Sequence, residues 1–82
     1  MPKATLYGKP GCHLCDAARA VIERVRTDHP FDLREVDVTL DPELHRVYGE
    51  RIPVLELDGE ELFEFFVDAA ELGRRIDRVD GS

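Results

Sequence analysis

The sequence predicts an α/β domain with the element order β-α-β-α-β-β-α, a four-stranded mixed sheet carrying three helices. Three observations predict it. Short runs rich in β-branched and aromatic residues alternate with longer stretches whose apolar residues recur at helical period. The first two strand-like runs are separated by a helix-length segment, which implies a parallel pair joined by a right-handed crossover. Asp58-Gly59 between two apolar runs is a two-residue hairpin turn, which adds an antiparallel pair.

The elements follow in order. Ala4–Tyr7 reads as the first strand, and Gly8, Pro10 and Gly11 form a loop after it. A helix opens around Cys12, with Leu14, Ala18, Val21, Ile22 and Val25 on one apolar stripe. Thr27 to Pro30 stop it, because proline cannot continue a helix. Phe31–Val38 is the second strand. Its apolar pairs Phe31/Leu33 and Val36/Val38 point to opposite faces, which calls for burial on both faces or a bulge. Asp41-Pro42 starts a short helix, with the carboxylate as N-cap and proline at the first helical position. Leu44, Val47 and Tyr48 form its apolar side, and Gly49 ends it. Val54–Leu57 and Leu62–Phe66 are the hairpin strands. Asp68 caps the last helix, Glu71 stands at the capping-box position, and Val67 with Leu72 forms a hydrophobic staple. Ala69, Leu72, Ile76 and Val79 make its buried stripe, with Arg74, Arg75 and Arg78 toward the negative end of the helix dipole.

The chain has 82 residues, enough for a single domain over 1–82, and its 43% of hydrophobic residues can fill one core. There is no internal repeat, low-complexity stretch or linker. The net charge of −7 disfavours contact with nucleic acid and with anionic lipid. No apolar run reaches the roughly 18 residues of a membrane span, and the first nine residues lack the apolar region of a signal peptide. The expected compartment is a reducing cytoplasm. There a pair of cysteines reads as reactive or metal-binding rather than structural, the more so since a Cys12–Cys15 disulfide closes a very short loop.

The chemistry concentrates in Gly11-Cys12-His13-Leu14-Cys15. Cysteines at i and i+3 on a first helical turn lie on nearly one face, within reach of a disulfide. Unpaired backbone N–H groups and the helix dipole stabilise negative charge on the leading cysteine, so Cys12 is expected to titrate below the free thiol value of about 8.5. His13, when protonated, pushes the same way. Cys15, one turn further in, is expected to be less exposed and less acidic. These unequal roles suit thiol–disulfide exchange, in which one thiolate attacks and the other thiol resolves. The bare spacing also occurs in zinc sites, and its position between a strand and a helix in a β-α-β unit favours redox chemistry. Farther along, Ile52-Pro53 precedes the third strand. One reading is a proline tolerated at a strand entry; the other is a cis peptide that brings the Ile52 backbone beside Cys12.

Leu6-Tyr7-Gly8-Lys9-Pro10-Gly11-Cys12-His13-Leu14-Cys15 resembles the active-site segment of glutaredoxins, and Arg51-Ile52-Pro53-Val54-Leu55-Glu56-Leu57-Asp58-Gly59 resembles their cis-proline segment and hairpin. The resemblance is to the small bacterial glutaredoxin-like branch with a C-H-L-C site, and it implies a minimal thioredoxin fold over essentially the whole chain. It further implies that Cys12 is the nucleophile, Cys15 the resolving thiol and Pro53 the cis-proline. The Ile52 backbone would pair with the backbone of glutathione or of a protein substrate, and Lys9 would reach a glutathione carboxylate, with Gly11 and His13 completing the binding segment. No bound cofactor is implied; glutathione is a candidate co-substrate. Electrons would come from glutathione or from a thioredoxin-reductase-type flavoprotein, and the substrate would be a disulfide-containing protein met by a monomer. The chain departs from the family where a Gly-Gly pair usually follows the hairpin. Phe63-Glu64 stands there instead, within Leu62-Phe63-Glu64-Phe65-Phe66-Val67-Asp68.

Two other functions compete. Cys12 and Cys15 are two zinc ligands at most, with His13, His29 or His45 as further donors, and a cluster of [2Fe–2S] type shared between two chains is the iron counterpart. A non-catalytic interaction domain would use Phe63, Phe65 and Phe66, although at least two of these are expected to pack under a helix. His29 and His45 read as surface residues, and Glu56, Asp58, Glu60, Glu61 and Glu64 as a solvated acidic face.

Overall fold

The computed structural model describes residues 1–80, the side chain of Asp80 aside, so Gly81 and Ser82 of the predicted domain lie outside the described residues. Strands β1 (Lys3–Gly8), β2 (Asp32–Asp37), β3 (Val54–Leu57) and β4 (Glu60–Glu64) form one sheet in the order β2-β1-β3-β4. The β1/β2 pair is parallel, and β1/β3 and β3/β4 are antiparallel. Helices α1 (His13–Asp28), α2 (Pro42–Tyr48) and α3 (Ala69–Asp80) complete the predicted order, with a single 3-10 turn at Val38–Leu40 before α2.

One face of the sheet carries the main core. Ala4 and Leu6 of β1 lie opposite Leu57 and Leu55 of β3, and all four meet Ala18, Ile22 and Val25 of α1 and Leu72 and Ile76 of α3. Each fully buried leucine or isoleucine here contributes about 1.5–3 kcal/mol. The opposite face is thinly covered. Tyr48 of α2 stacks on Tyr7 of β1 with ring centroids 4.3 Å apart, and no residue of α2 is buried.

Several boundaries differ from the sequence reading, each for a physical reason. The second strand is neither buried on both faces nor bulged. It is an edge strand, and its most buried apolar residues, Phe31 and Val38, stand just outside it. Val38 opens the 3-10 turn, whose cap is the Asp37 carboxylate accepting from the Thr39 N–H at 2.8 Å. In α1 the buried face is Cys15, Ala18, Ile22 and Val25, while Leu14 is 42% exposed and Val21 half-buried. Three of the predicted residues hold the stripe, and Cys15 takes the buried place expected of Leu14 at its start. In α3, Val79 is exposed, beyond the part of the helix that packs on α1.

The return strand starts and ends earlier than predicted. Asp58 (φ 50°) and Gly59 (φ 89°) both take the left-handed conformation, so pairing resumes at once with Leu57 opposite Glu60. A bulge follows, and the strand ends where Phe65 turns to φ 66°. Only Phe63 of the three late phenylalanines packs against the main core; Phe65 is 41% and Phe66 73% exposed. The capping box of α3 is half formed. Asp68 accepts from the Glu71 N–H at 3.2 Å, but the Glu71 carboxylate is held by Arg74 and Arg75.

Candidate active site

Cys12 is the N-cap residue of α1, in extended conformation, reached through Gly11 at φ 73°. A left-handed residue directly before the cap lets the loop from β1 turn into the helix without a Cβ penalty. The Cys12 sulfur accepts the Cys15 N–H at 3.2 Å, and the Cys12 carbonyl accepts the Asp16 N–H at 3.0 Å. The leading sulfur therefore replaces the usual serine or aspartate oxygen at a helix start, facing donors that favour an anion. Cys12 is half-buried and Cys15 is 1% exposed; both thiols are free.

Burial pushes the Cys15 thiol up to about 11. Its hydrogen bond to the Cys12 sulfur acts the same way, and the Lys9 backbone N–H opposes them. The two thiols are thus unequal: Cys12 is half-exposed at the helix start, and Cys15 is buried in contact with it. Gly8 makes room for the buried thiol: a Cβ there would stand 3.0 Å from the Cys15 sulfur.

The third strand brings the second predicted segment to the thiols. Tyr7 at the end of β1 lies opposite Val54 at the start of β3, so the loops before and after these residues share one end of the sheet. The Ile52–Pro53 peptide is cis. Ile52, Cys15 and Val38 form a second buried cluster, against which Cys12, Tyr7, Leu44 and Tyr48 pack. Beneath it, Glu56 accepts from the Tyr7 hydroxyl at 3.2 Å and the Tyr48 hydroxyl at 3.3 Å. Burial, then the Glu56 carboxylate, push the Tyr7 phenol up to about 12.

Of the remaining sequence candidates, His13 is the exposed first residue of α1, and Lys9 is exposed on the rim of a cavity of about 400 Å³ that Cys15, Arg19, Glu35 and Asp37 also line. His29 is half-buried at the end of α1, where it caps the helix, and its Nδ1 lies 2.7 Å from the Asp77 carboxylate of α3. Among the described residues no group of three or more His, Cys, Asp or Glu side chains could hold a metal ion. No helix among them is long and apolar enough to cross a membrane.

The sequence reading missed two contributors. The Lys9 backbone N–H and the small size of Gly8 act on Cys15, and neither is visible as side-chain chemistry. Phe65 is tied to the site because its N–H donates to the Pro53 carbonyl at 2.8 Å, and Phe66 follows it into solvent. Within Leu62–Asp68 the backbone conformation that favours glycine falls at Phe65, whereas Phe63 and Glu64 lie in β4.

Comparison with known proteins agrees with this fold. The model of the Glutaredoxin-like domain (DUF836) matches residues 3–77. The X-ray structure of protein XcR50 from X. campestris is 34% identical, with a TM-score of 0.77 over 92% of this chain and 96% of that one. Uncharacterized protein Rv0508 of Mycobacterium tuberculosis is 30% identical over 94% of this chain and 84% of its own length. A chloroplastic thioredoxin z, 13% identical, superposes with a TM-score of 0.76 over 100% of this chain and 80% of its own, a likeness of fold alone.

Proposed function

This chain belongs to the glutaredoxin-like domain family (DUF836), and from that premise we propose that it is a dithiol thiol–disulfide oxidoreductase. The observation that carries the reading is the unequal pair at the start of α1. The Cys12 sulfur accepts a backbone N–H at 3.2 Å, while the buried Cys15 thiol keeps its proton in contact with it.

The exchange balances as follows. The Cys12 thiolate attacks one sulfur of a substrate disulfide; the S–S bond breaks and its electron pair leaves on the other substrate sulfur, which takes up a proton. Cys15 then gives up its proton and attacks the Cys12 sulfur. The mixed disulfide breaks, and the second substrate cysteine leaves as a thiolate. The substrate gains two electrons and the Cys12–Cys15 pair becomes a disulfide. Glutathione or a thioredoxin-reductase-type flavoprotein returns the electrons, and no step needs a bound cofactor. Ile52 presents backbone groups to the substrate chain, Pro53 fixes that segment, and Lys9, Gly11 and His13 border the approach to Cys12. The reaction belongs to a reducing cytoplasm, where the reduced pair is continually restored.

Equilibration in glutathione redox buffers, thiol trapping and intact mass spectrometry test this. The expected result is a reversible loss of two hydrogens with a midpoint between about −120 and −270 mV, the span of known dithiol oxidoreductases. A Cys15→Ser variant is expected to accumulate a mixed disulfide on Cys12. Thiols that stay free across the whole buffer series would refute the exchange mechanism.

A further inference from the structure

We propose that Phe65, Phe66 and Leu14 select the substrate: they form an apolar notch beside the thiol pair that seats one apolar side chain flanking the cysteine under attack, and so direct the chain to disulfides of extended polypeptide rather than to glutathione. This rests on the thiol–disulfide reading and specifies its substrate class.

The notch is built from two sides. Leu14, between the two cysteines, and Val21 on the next turns of α1 form one wall, and Phe65, Phe66 and Val67 form the other. Both walls are tied to the segments of the thiol site: Leu14 belongs to the cysteine turn, and the Phe65 N–H is bonded to the Pro53 carbonyl at 2.8 Å. Leu14, Phe65 and Phe66 are 42%, 41% and 73% exposed, an apolar group facing solvent next to reactive sulfur.

The backbone under this group is unusual. The Phe66 N–H donates to the Glu64 carbonyl at 2.7 Å across Phe65 at φ 66°, a γ-turn of the rare positive-φ kind. Glycine adopts this conformation at little steric cost, whereas phenylalanine does so under strain. Phenylalanine at that position and a second beside it convert an open backbone into an apolar ledge.

The size and charge of the notch narrow its occupant. At about 100 Å³ it takes one side chain. Glutathione offers no apolar side chain to fill it and carries two carboxylates. On the notch side the segment Glu60 to Asp68 contains no cationic residue to receive them, the guanidinium of Arg51 is taken by Glu61 and Glu64, and Lys9 on the β1 loop is left to meet one carboxylate at most. An extended polypeptide can lie along the Ile52 backbone and place a leucine- or phenylalanine-sized side chain in the notch.

The test compares two disulfide-linked peptides that differ only in the residues flanking the cysteine, leucine in one and serine in the other, with glutathione disulfide as a third substrate. The expected kcat/KM for the leucine peptide exceeds that for the serine peptide by about 10-fold, the discrimination a small apolar pocket supplies. Phe66→Ala and Leu14→Ser, both at exposed positions, are each expected to bring the ratio to within about 3-fold of unity. A wild-type ratio near one, a ratio unchanged in both variants, or a preference for glutathione disulfide overturns the notch and leaves the exchange mechanism standing. No reduction of any of the three disulfides overturns the mechanism and the notch together.

Discussion

The burial of Cys15 makes folding stability depend on pH in a way that can be worked from the structure. Its thiol is pushed from the ordinary 9.0 up to about 11, so the folded chain holds this proton more tightly than the unfolded chain does. The associated stability is fully present below pH 9 and disappears as pH rises through 11. That difference in proton affinity is worth about 3 kcal/mol, a large part of what a domain of this size possesses. Tyr7, pushed up to about 12 from 10.0, adds a second loss of the same sign at slightly higher pH. A Cys15→Ala variant separates the two, since it removes one titration and keeps the other. The assay is urea denaturation of both reduced proteins at half-unit intervals from pH 7 to 11.5. Wild type is expected to lose its advantage over Cys15→Ala by about 2–3 kcal/mol between pH 9 and the top of the series. A difference that stays constant within about 0.5 kcal/mol would refute the claim that this thiol is held neutral by a dry environment, since a solvated thiol has the same affinity in both states.

Two further perturbations probe the same frame. Gly8→Ala places a methyl group 3.0 Å from the Cys15 sulfur, tighter than an ordinary contact, and is expected to cost about 1–3 kcal/mol in urea denaturation of the reduced protein; an unchanged midpoint would show that the sulfur yields freely. Asp41→Ala removes the acceptor of the Glu43 N–H at 2.9 Å and the Leu44 N–H at 3.4 Å, and is expected to cost about 1 kcal/mol; helical signal and stability both at the wild-type level would show that α2 does not need its cap.

Local chemistry made most of the fold legible. Pro30 and Pro42, the carboxylates Asp41 and Asp68, and the Asp58-Gly59 turn fix where elements stop and start through interactions a few residues long. The thiol pair was legible for the same reason, since an N-cap position and a three-residue spacing are local properties. What stayed hidden depends on partners distant in sequence. The alternation in Phe31–Val38 does not reveal that β2 is an edge strand, because edge status is decided by where β3 pairs. Leu14 and Val21 fit a helical stripe, but the buried face is narrower and Cys15 takes the buried position at its start. Phe65 and Phe66 read as strand residues until the Pro53 carbonyl, twelve positions earlier, holds the Phe65 N–H and ends the strand.

The loop that ends at Cys12 leaves from β1 and the Ile52–Pro53 segment enters β3, the interior strands, each hydrogen-bonded on both sides. The segments around Phe65 and α2 attach at the less constrained periphery. Descendants of such a domain can therefore exchange partners by altering the β4–α3 corner while the sulfur geometry is inherited unchanged. On the reading proposed above, one wall of the notch belongs to the cysteine turn and the other to the β4–α3 corner, so only the second wall can vary without touching the sulfurs.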